Sequence, residues 1–344
     1  MNSKTFDIGE AIFFFFRRVA SNPVSALWLS TCHFLLSIIV AGMTYSLFAP
    51  VFGQIMEWAV ADIEPTPGQV FQTLGSFLFI IPVLIVVGIS SVVMTRSAWL
   101  RFLARGEVAS GIPFRIGDDE FRLLGLALMF FIVGMAIEMV MAIVMGIIGI
   151  SSFGILALAE GHWAATASMG LVSGLSLLAL TAVFIVVIVR LSPAFGLTFL
   201  DQKFRFLEAW DATSGRFWPM IVSYVSVGLI ASLITGFVVF VSIFPMAGSL
   251  MPLVSELEAL GDMNKAMPNE VLTAVKDIVL IPSVLAPLGF VVIIAFLAQI
   301  MSSGMMMGVG VYTAKLFRAD HKMDSTDAPV LGQDHPAGPS PSEG

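Results

Sequence analysis

LLGLALMFFIVGMAIEMVMAIVMGI, residues 123–147, carries a single charge, Glu138. A helix crossing the hydrocarbon core of a bilayer needs about 20 apolar residues, so this stretch is long enough to cross one. A membrane β-barrel would instead show alternating segments of about ten residues, and the chain shows none. Uncharged runs also cover residues 19–56, 65–95, 161–189, 217–255 and 278–314, and the central run continues past Glu138 to residue 159. The chain is 58% hydrophobic and 12% charged, against roughly 45–50% and 25% in a soluble domain. The prediction is an all-α integral membrane protein with six transmembrane helices, at about 24–48, 70–95, 122–147, 168–192, 218–243 and 279–305. The third and fifth runs exceed one span. Either those helices extend out of the bilayer, or residues 148–158 and 244–255 form separate interfacial segments.

The charges sort by side. Lys4, Arg17 and Arg18 precede the first span; Arg96, Arg101, Arg105, Arg115 and Arg122 follow the second. Arg190, Lys203, Arg205 and Arg216 follow the fourth, and Lys315, Arg318 and Lys322 follow the sixth. Only Lys265 and Lys276 fall on the other side, among nine acidic residues from Glu57 to Asp277. Basic loops stay inside, so the expectation is a multi-pass protein of a bacterial inner membrane with both termini cytoplasmic. The net charge of −7 then arises on the outer face and does not point to a nucleic-acid partner. The apolar stretch after Arg17 and Arg18 is too long for a signal-peptide core, so the first span is expected to be retained. Cys32 is the only cysteine, which excludes an intramolecular disulfide. Residues 319–344 are rich in Pro, Ser, Gly and Asp and read as a disordered cytoplasmic tail after a membrane domain of residues 1–318. Two short amphipathic helices around Gly261 and Pro268 fit the large outer loop.

A short charged segment precedes each odd-numbered span: FDIGEAIFFFFRR (6–18), PFRIGDDEFRLL (113–124) and KFRFLEAWDATSGRFW (203–218). Their charges recur at helical spacing opposite apolar residues, as in helices lying in the headgroup plane. The repeat is thus three hairpins, each led by an interfacial helix. Span two ends in VVMTRSAWLRF and span four in VIVRLSPAFGLTF, which sets Arg96 and Arg190 at comparable depth. Either arginine snorkels to the headgroups or enters a buried ion pair.

The segment Arg190–Trp218, with Ala209-Trp210, Thr213 and Arg216-Phe217-Trp218, resembles uncharacterised six-helix bacterial inner-membrane proteins. It is also similar to the membrane domain attached to some glycerophosphodiester phosphodiesterases. Arg115-Ile116-Gly117 with Glu120 and Arg122 follows the same style. The likeness covers about the middle third of the chain. It implies a fold and not an activity, because no soluble stretch here is long enough for the phosphodiesterase domain.

Glu138 falls near the bilayer midplane, where an ionised carboxylate facing lipid costs at least ~2.5 kcal/mol. It is expected to face the bundle interior, pair, or stay protonated. Three roles stand open: a proton or cation relay, a protonated hydrogen bond gluing helices, or lipid contact. His33 in span one and Gln299 in span six are its candidate partners, and a Glu–His couple passes protons near neutral pH. Arg96, Arg190, Arg122, Glu120, Glu208 and Arg216 form the candidate interfacial set. Gly170/Gly174 and Gly304/Gly308 have the spacing that lets helices approach closely. Pro82, Pro282 and Pro287 are candidate kinks or breaks. Met301, Met305, Met306 and Met307 point around a helix without His or Cys, which favours packing over copper. No metal, cofactor or enzymatic motif is assigned. The expectation is a non-enzymatic module that binds membrane lipids, a protein partner or a second copy of itself. The alternative is a small-solute or proton-coupled transporter using Glu138.

Overall fold

A computed structural model of the chain describes residues 5–60, 64–108, 111–158, 163–259 and 282–326. Among them the order is α1 (Ile8–Ser21), α2 (Pro23–Val60), α3 (Pro67–Arg105), α4 (Asp118–Leu158) and α5 (Trp163–Leu191). There follow α6 (Pro193–Asp201), α7 (Glu208–Ala212), α8 (Phe217–Ala259) and α9 (Pro282–Thr326). Six stretches are long and apolar enough to cross a membrane: Pro23–Trp58, Pro67–Arg105, Asp118–Ser151, Gly170–Asp201, Phe217–Pro245 and Leu285–His321. The protein is an all-α membrane protein, and α2 with α3, α4 with α5, and α8 with α9 pack as three hairpins.

Local chemistry sets the helix ends. Asp7 caps α1 by accepting the Glu10 N–H at 2.9 Å, and Pro23 opens α2 where its missing N–H is harmless. Thr66 and Gln69 form a capping box ahead of α3, with Pro67 at its start. Gly106 ends α3 with φ 78°, a left-handed conformation that glycine adopts without steric cost. Its N–H donates to the Arg101 and Phe102 carbonyls, both at 3.0 Å. Pro193 cannot donate a backbone bond, so the fourth span breaks at Ser192 and restarts as α6.

At 41, 43 and 45 residues, α4, α8 and α9 run to roughly 60 Å, twice the ~30 Å hydrocarbon core. The surplus at the basic end is where the chain packs most densely. Phe15 of α1, Trp99, Phe102 and Leu103 of α3, and Met305 and Val309 of α9 share one buried cluster. Leu126, Leu197, Phe206, Ala209 and Ala314 form a second. Toward the acidic end, residues such as Leu78, Phe79, Leu233 and Phe237 stand exposed. Lipid tails are as apolar as these side chains and cover them without a protein partner.

Small residues allow the tight crossings. A Cβ on Gly196 of α6 would lie 2.8 Å from Ala314 Cβ and 2.9 Å from Val311 Cα of α9. A Cβ on Gly310 would lie 2.8 Å from the Ser192 carbonyl oxygen. Gly304 and Gly308 take the face of α1 that carries Phe15 and Phe14, not another span. A Cβ on Gly170 or Gly174 would meet nothing within 4 Å, so that GxxxG makes no close crossing.

Several expectations change. The segment before the third span is not a separate helix: residues 113–117 are irregular, and Asp118, Asp119 and Glu120 form the first turn of α4 itself. Acidic residues suit that position, where unpaired N–H groups and the helix dipole favour negative charge. α1 does not merely lie on the headgroups, because Ala11 and Phe15 are buried in the bundle. Of the two readings of the long third and fifth runs, the extended helix holds: residues 148–158 and 244–255 continue α4 and α8 without a break. Helix also replaces the expected disorder over residues 319–326, where Asp320 pairs with Arg216. Residues 327–344 and the loop around Gly261 and Pro268 lie outside the described residues. Pro82 and Pro287 sit inside continuous helices, and Pro282 opens α9.

Candidate functional site

Two features occupy the junction between the dense basic end and the splayed apolar halves: a buried ion-pair network and a cavity beside it. The network grows from one face of α3. Ser97, Arg101 and Arg105 recur every four residues and meet the first turn of α4. Arg101 pairs with Glu120 and Arg105 with Asp119. The Ser97 hydroxyl donates to the same Glu120 oxygen at 2.6 Å, and Arg101 Nη2 donates to the Pro113 carbonyl at 3.0 Å. Arg122 reaches Asp119 at 3.1 Å. Glu120 is 3% exposed and Arg101 5%, so this is a buried clamp holding the α3–α4 connection.

Arg190 forms no ion pair among the described residues. Its Nη1 donates to Thr213 Oγ1 at 3.2 Å. Its guanidinium carbon stands 5.2 Å from the Trp210 ring centre and 4.8 Å from that of Phe217. A cation over two aromatic faces ties the end of α5 to α7 and α8. Lysine is a poor substitute, since it lacks the planar fork that stacks and hydrogen-bonds together. Arg190→Lys is expected to lower stability by about 1–2 kcal/mol, read as a lower thermal unfolding midpoint in detergent. An unchanged midpoint contradicts this assignment. Glu208 pairs with Arg205 at 3.2 Å, and Arg216 pairs with Asp320 across to α9.

The cavity, of about 550 Å³, lies between α2, α3, α4, α5, α6, α8 and α9. Its polar lining includes His33, Arg96, Tyr224, Gln299 and Ser303, with the Thr95 and Ser192 hydroxyls; Phe130, Phe195, Met306 and Met307 supply apolar walls. Val92, Ile188 and Met306 line it and are exposed, so it is an open cavity at the level of the apolar spans. The Trp99 indole N–H donates to His33 Nδ1 at 3.4 Å, which leaves the neutral ring's proton on Nε2. The edge of the His33 ring meets Phe296 at 5.1 Å between centres. Arg96 makes no hydrogen bond or ion pair with another side chain or backbone group among the described residues. A smaller cavity of about 290 Å³ adjoins it through His33, Val92, Thr95 and Gln299 and reaches Val40 and Ala41 along α2.

The structure therefore brings His33 and Gln299 together with Arg96 and leaves Glu138 apart. Glu138 is exposed on α4, lines neither cavity and bonds to neither candidate partner. It does not face the bundle interior, because the face of α4 that packs carries Leu123, Leu126 and Phe130. Sequence reasoning missed Ser97, Arg101 and Arg105, although their four-residue spacing on α3 is a usable signal, and missed Asp119 in the first turn of α4. Tyr224 and Ser303 carry no such mark, since their polar neighbours Ser223 and Ser302 have no spacing that singles out one helix face. Compared with protein-family models, curated proteins and solved structures, the chain matches none of them.

Proposed function

We propose that this protein is a non-enzymatic lipid-binding module of a bacterial inner membrane, with both termini cytoplasmic. Fifteen of the seventeen basic residues fall, along the sequence, in segments that flank one and the same side of the spans, which supports that orientation. The observation that carries the function is Arg96: an exposed guanidinium, without a partner among the described residues, on the lining of a cavity at the level of the apolar spans. A volume of about 550 Å³ suits a headgroup and the first carbons of its chains, within the ~300–1,000 Å³ of ligand sites. Arg96 takes the phosphate as a bidentate partner. His33, Gln299 and Ser303 offer neutral hydrogen bonds, and Phe130, Phe195 and Met306 line the apolar continuation. The described lining contains no carboxylate, which favours an anionic headgroup.

Native mass spectrometry of the purified protein with phosphatidylglycerol and phosphatidylcholine tests this. A charge-assisted hydrogen bond contributes about 1.5–3 kcal/mol, so Arg96→Ala is expected to weaken phosphatidylglycerol binding by roughly tenfold or more. Equal retention of lipid by wild type and a normally folded Arg96→Ala sinks the proposal.

The adjoining cavity along α2 favours a second reading, a small-solute or proton-coupled transporter. In that case His33→Gln, at a residue that lines both cavities, abolishes flux in proteoliposomes while insertion stays normal, and Glu138, which lines neither, is dispensable; unchanged flux in His33→Gln removes the reading.

A further inference from the structure

Where α1 crosses α9 at the basic end lies another cleft, of about 440 Å³, which shares no lining residue with the Arg96 cavity. Its charged groups are Glu10, Arg17, Arg18 and Lys315. Arg18 Nε donates to the Phe102 carbonyl and Lys315 Nζ to the Leu103 carbonyl, both at 3.2 Å. Two cations thus converge on the last turn of α3, whose carbonyls carry partial negative charge. Neither has a carboxylate partner among the described residues. A carbonyl engages one of the five guanidinium donors and one of the three ammonium donors, so most of their donor capacity stays open. Arg17, on the rim, is held by Glu10 at 3.0 Å, with both side chains about half exposed. The Tyr312 hydroxyl stands 3.3 Å from the other Glu10 oxygen. Three cations and one carboxylate therefore share one cleft.

Depth separates this cleft from the proposed lipid site. Leu103 lies seven residues beyond Arg96 on α3, or roughly 10 Å further from the apolar halves at 1.5 Å per residue. If Arg96 holds a headgroup, the cleft faces water.

We propose that this cleft binds a phosphate group, presented either by a water-soluble phosphate compound or by a lipid headgroup. Arg18 and Lys315, fixed by their carbonyl bonds, supply the floor of the site. Arg17 leaves Glu10 and closes over the anion. Bringing like charges together is unfavourable until an anion neutralises them, which gives the site its selectivity for negative ligands. This proposal does not rest on the lipid site at Arg96.

Two exposed substitutions with opposite effects test it without touching the carbonyl bonds. Glu10→Gln removes the competing carboxylate and frees Arg17; Arg17→Gln removes the closing cation. The full chain in phosphatidylcholine nanodiscs is titrated with inorganic phosphate by calorimetry. In a second arm, phosphatidylglycerol retention is read by native mass spectrometry. An exposed ion pair contributes about 0.2–1 kcal/mol, so affinity is expected to rise roughly threefold in Glu10→Gln and fall by a similar factor in Arg17→Gln. Asp118→Asn, which removes an 88% exposed carboxylate elsewhere at the basic end, is the charge control and is expected to change nothing. A response to inorganic phosphate identifies a soluble ligand, and a response confined to phosphatidylglycerol identifies a headgroup; both support the site. If Glu10→Gln behaves like Asp118→Asn, or if Arg17→Gln has no effect in either arm, the site is refuted. The same titration on Arg96→Ala keeps the two proposals apart, because the cleft's response persists there whether or not the Arg96 cavity binds lipid.

Discussion

Glu120→Ala is expected to destabilise the protein by about 3–5 kcal/mol, the usual result of removing one partner from a buried ion pair. Arg101, 5% exposed, would keep its charge in a site that water barely reaches. Only the Pro113 carbonyl and the longer 3.9 Å approach to Asp119 would remain for it. The Ser97 hydroxyl, fully buried, would keep only the Met94 carbonyl, at 3.1 Å, as its acceptor. Glu120→Gln is expected to cost less, about 1–3 kcal/mol, since the amide oxygen still accepts from both donors but the charge assistance is gone. Replacing both members, Arg101→Met with Glu120→Leu, should recover most of the loss, because a matched apolar pair leaves no charge unpaired. Equilibrium unfolding in detergent provides the measurement, with the double-mutant cycle isolating the pair. A cost below about 1 kcal/mol for Glu120→Ala would show that the network relaxes into solvent and does not act as a buried clamp.

Gly196→Ala is the second large effect. An added methyl would stand 2.8 Å from Ala314 Cβ, 2.9 Å from Val311 Cα and 3.1 Å from the Gly310 carbonyl oxygen. Carbon atoms pack at about 3.5–4.0 Å, and none of these neighbours is the free end of a flexible side chain. α6 must therefore move away from α9, at a cost of about 1–3 kcal/mol for alanine and more for valine. The movement carries Phe195 and Gly196, both of which line the Arg96 cavity, so lipid retention is expected to fall with stability. Ala314→Gly in the Gly196→Ala background removes the Cβ contact but not the backbone one, and should restore only part of the loss. Gly174→Ala is the comparison: its methyl meets nothing within 4 Å. In a helix interior it is expected to be neutral or to stabilise by up to ~1 kcal/mol. If both glycine substitutions give the same unfolding midpoint, the α6–α9 crossing is not tight.

How much of this was legible beforehand depends on the dimension in which the information lies. The capping box at Thr66 and Gln69, the break at Pro193 and the stop at Gly106 each follow from residues adjacent in sequence. The acidic triplet Asp118–Glu120 was legible as charge but misplaced as a separate helix, because the same residues suit the first turn of a long span. The helicity of residues 319–326 was missed for a related reason. Their composition is polar, and what supports the segment is Asp320 meeting Arg216 from a distant part of the chain.

Six spans and their shared polarity are written in the sequence itself, because apolar length and the sorting of basic residues are properties along one axis. Which side of each span faces inward is not. α4 is apolar nearly all the way round, so no periodicity tells its packed face from its exposed one. Rotation about that axis is settled only when Leu126 and Phe130 pack against α6 and the segment after it, and that rotation turns Glu138 outward. The same docking turns Arg96 into a cavity with His33 and Gln299 and locks Arg190 over Trp210 and Phe217. Two arginines in similar sequences thus acquire different surroundings, since the contacts that distinguish them come from residues far away along the chain.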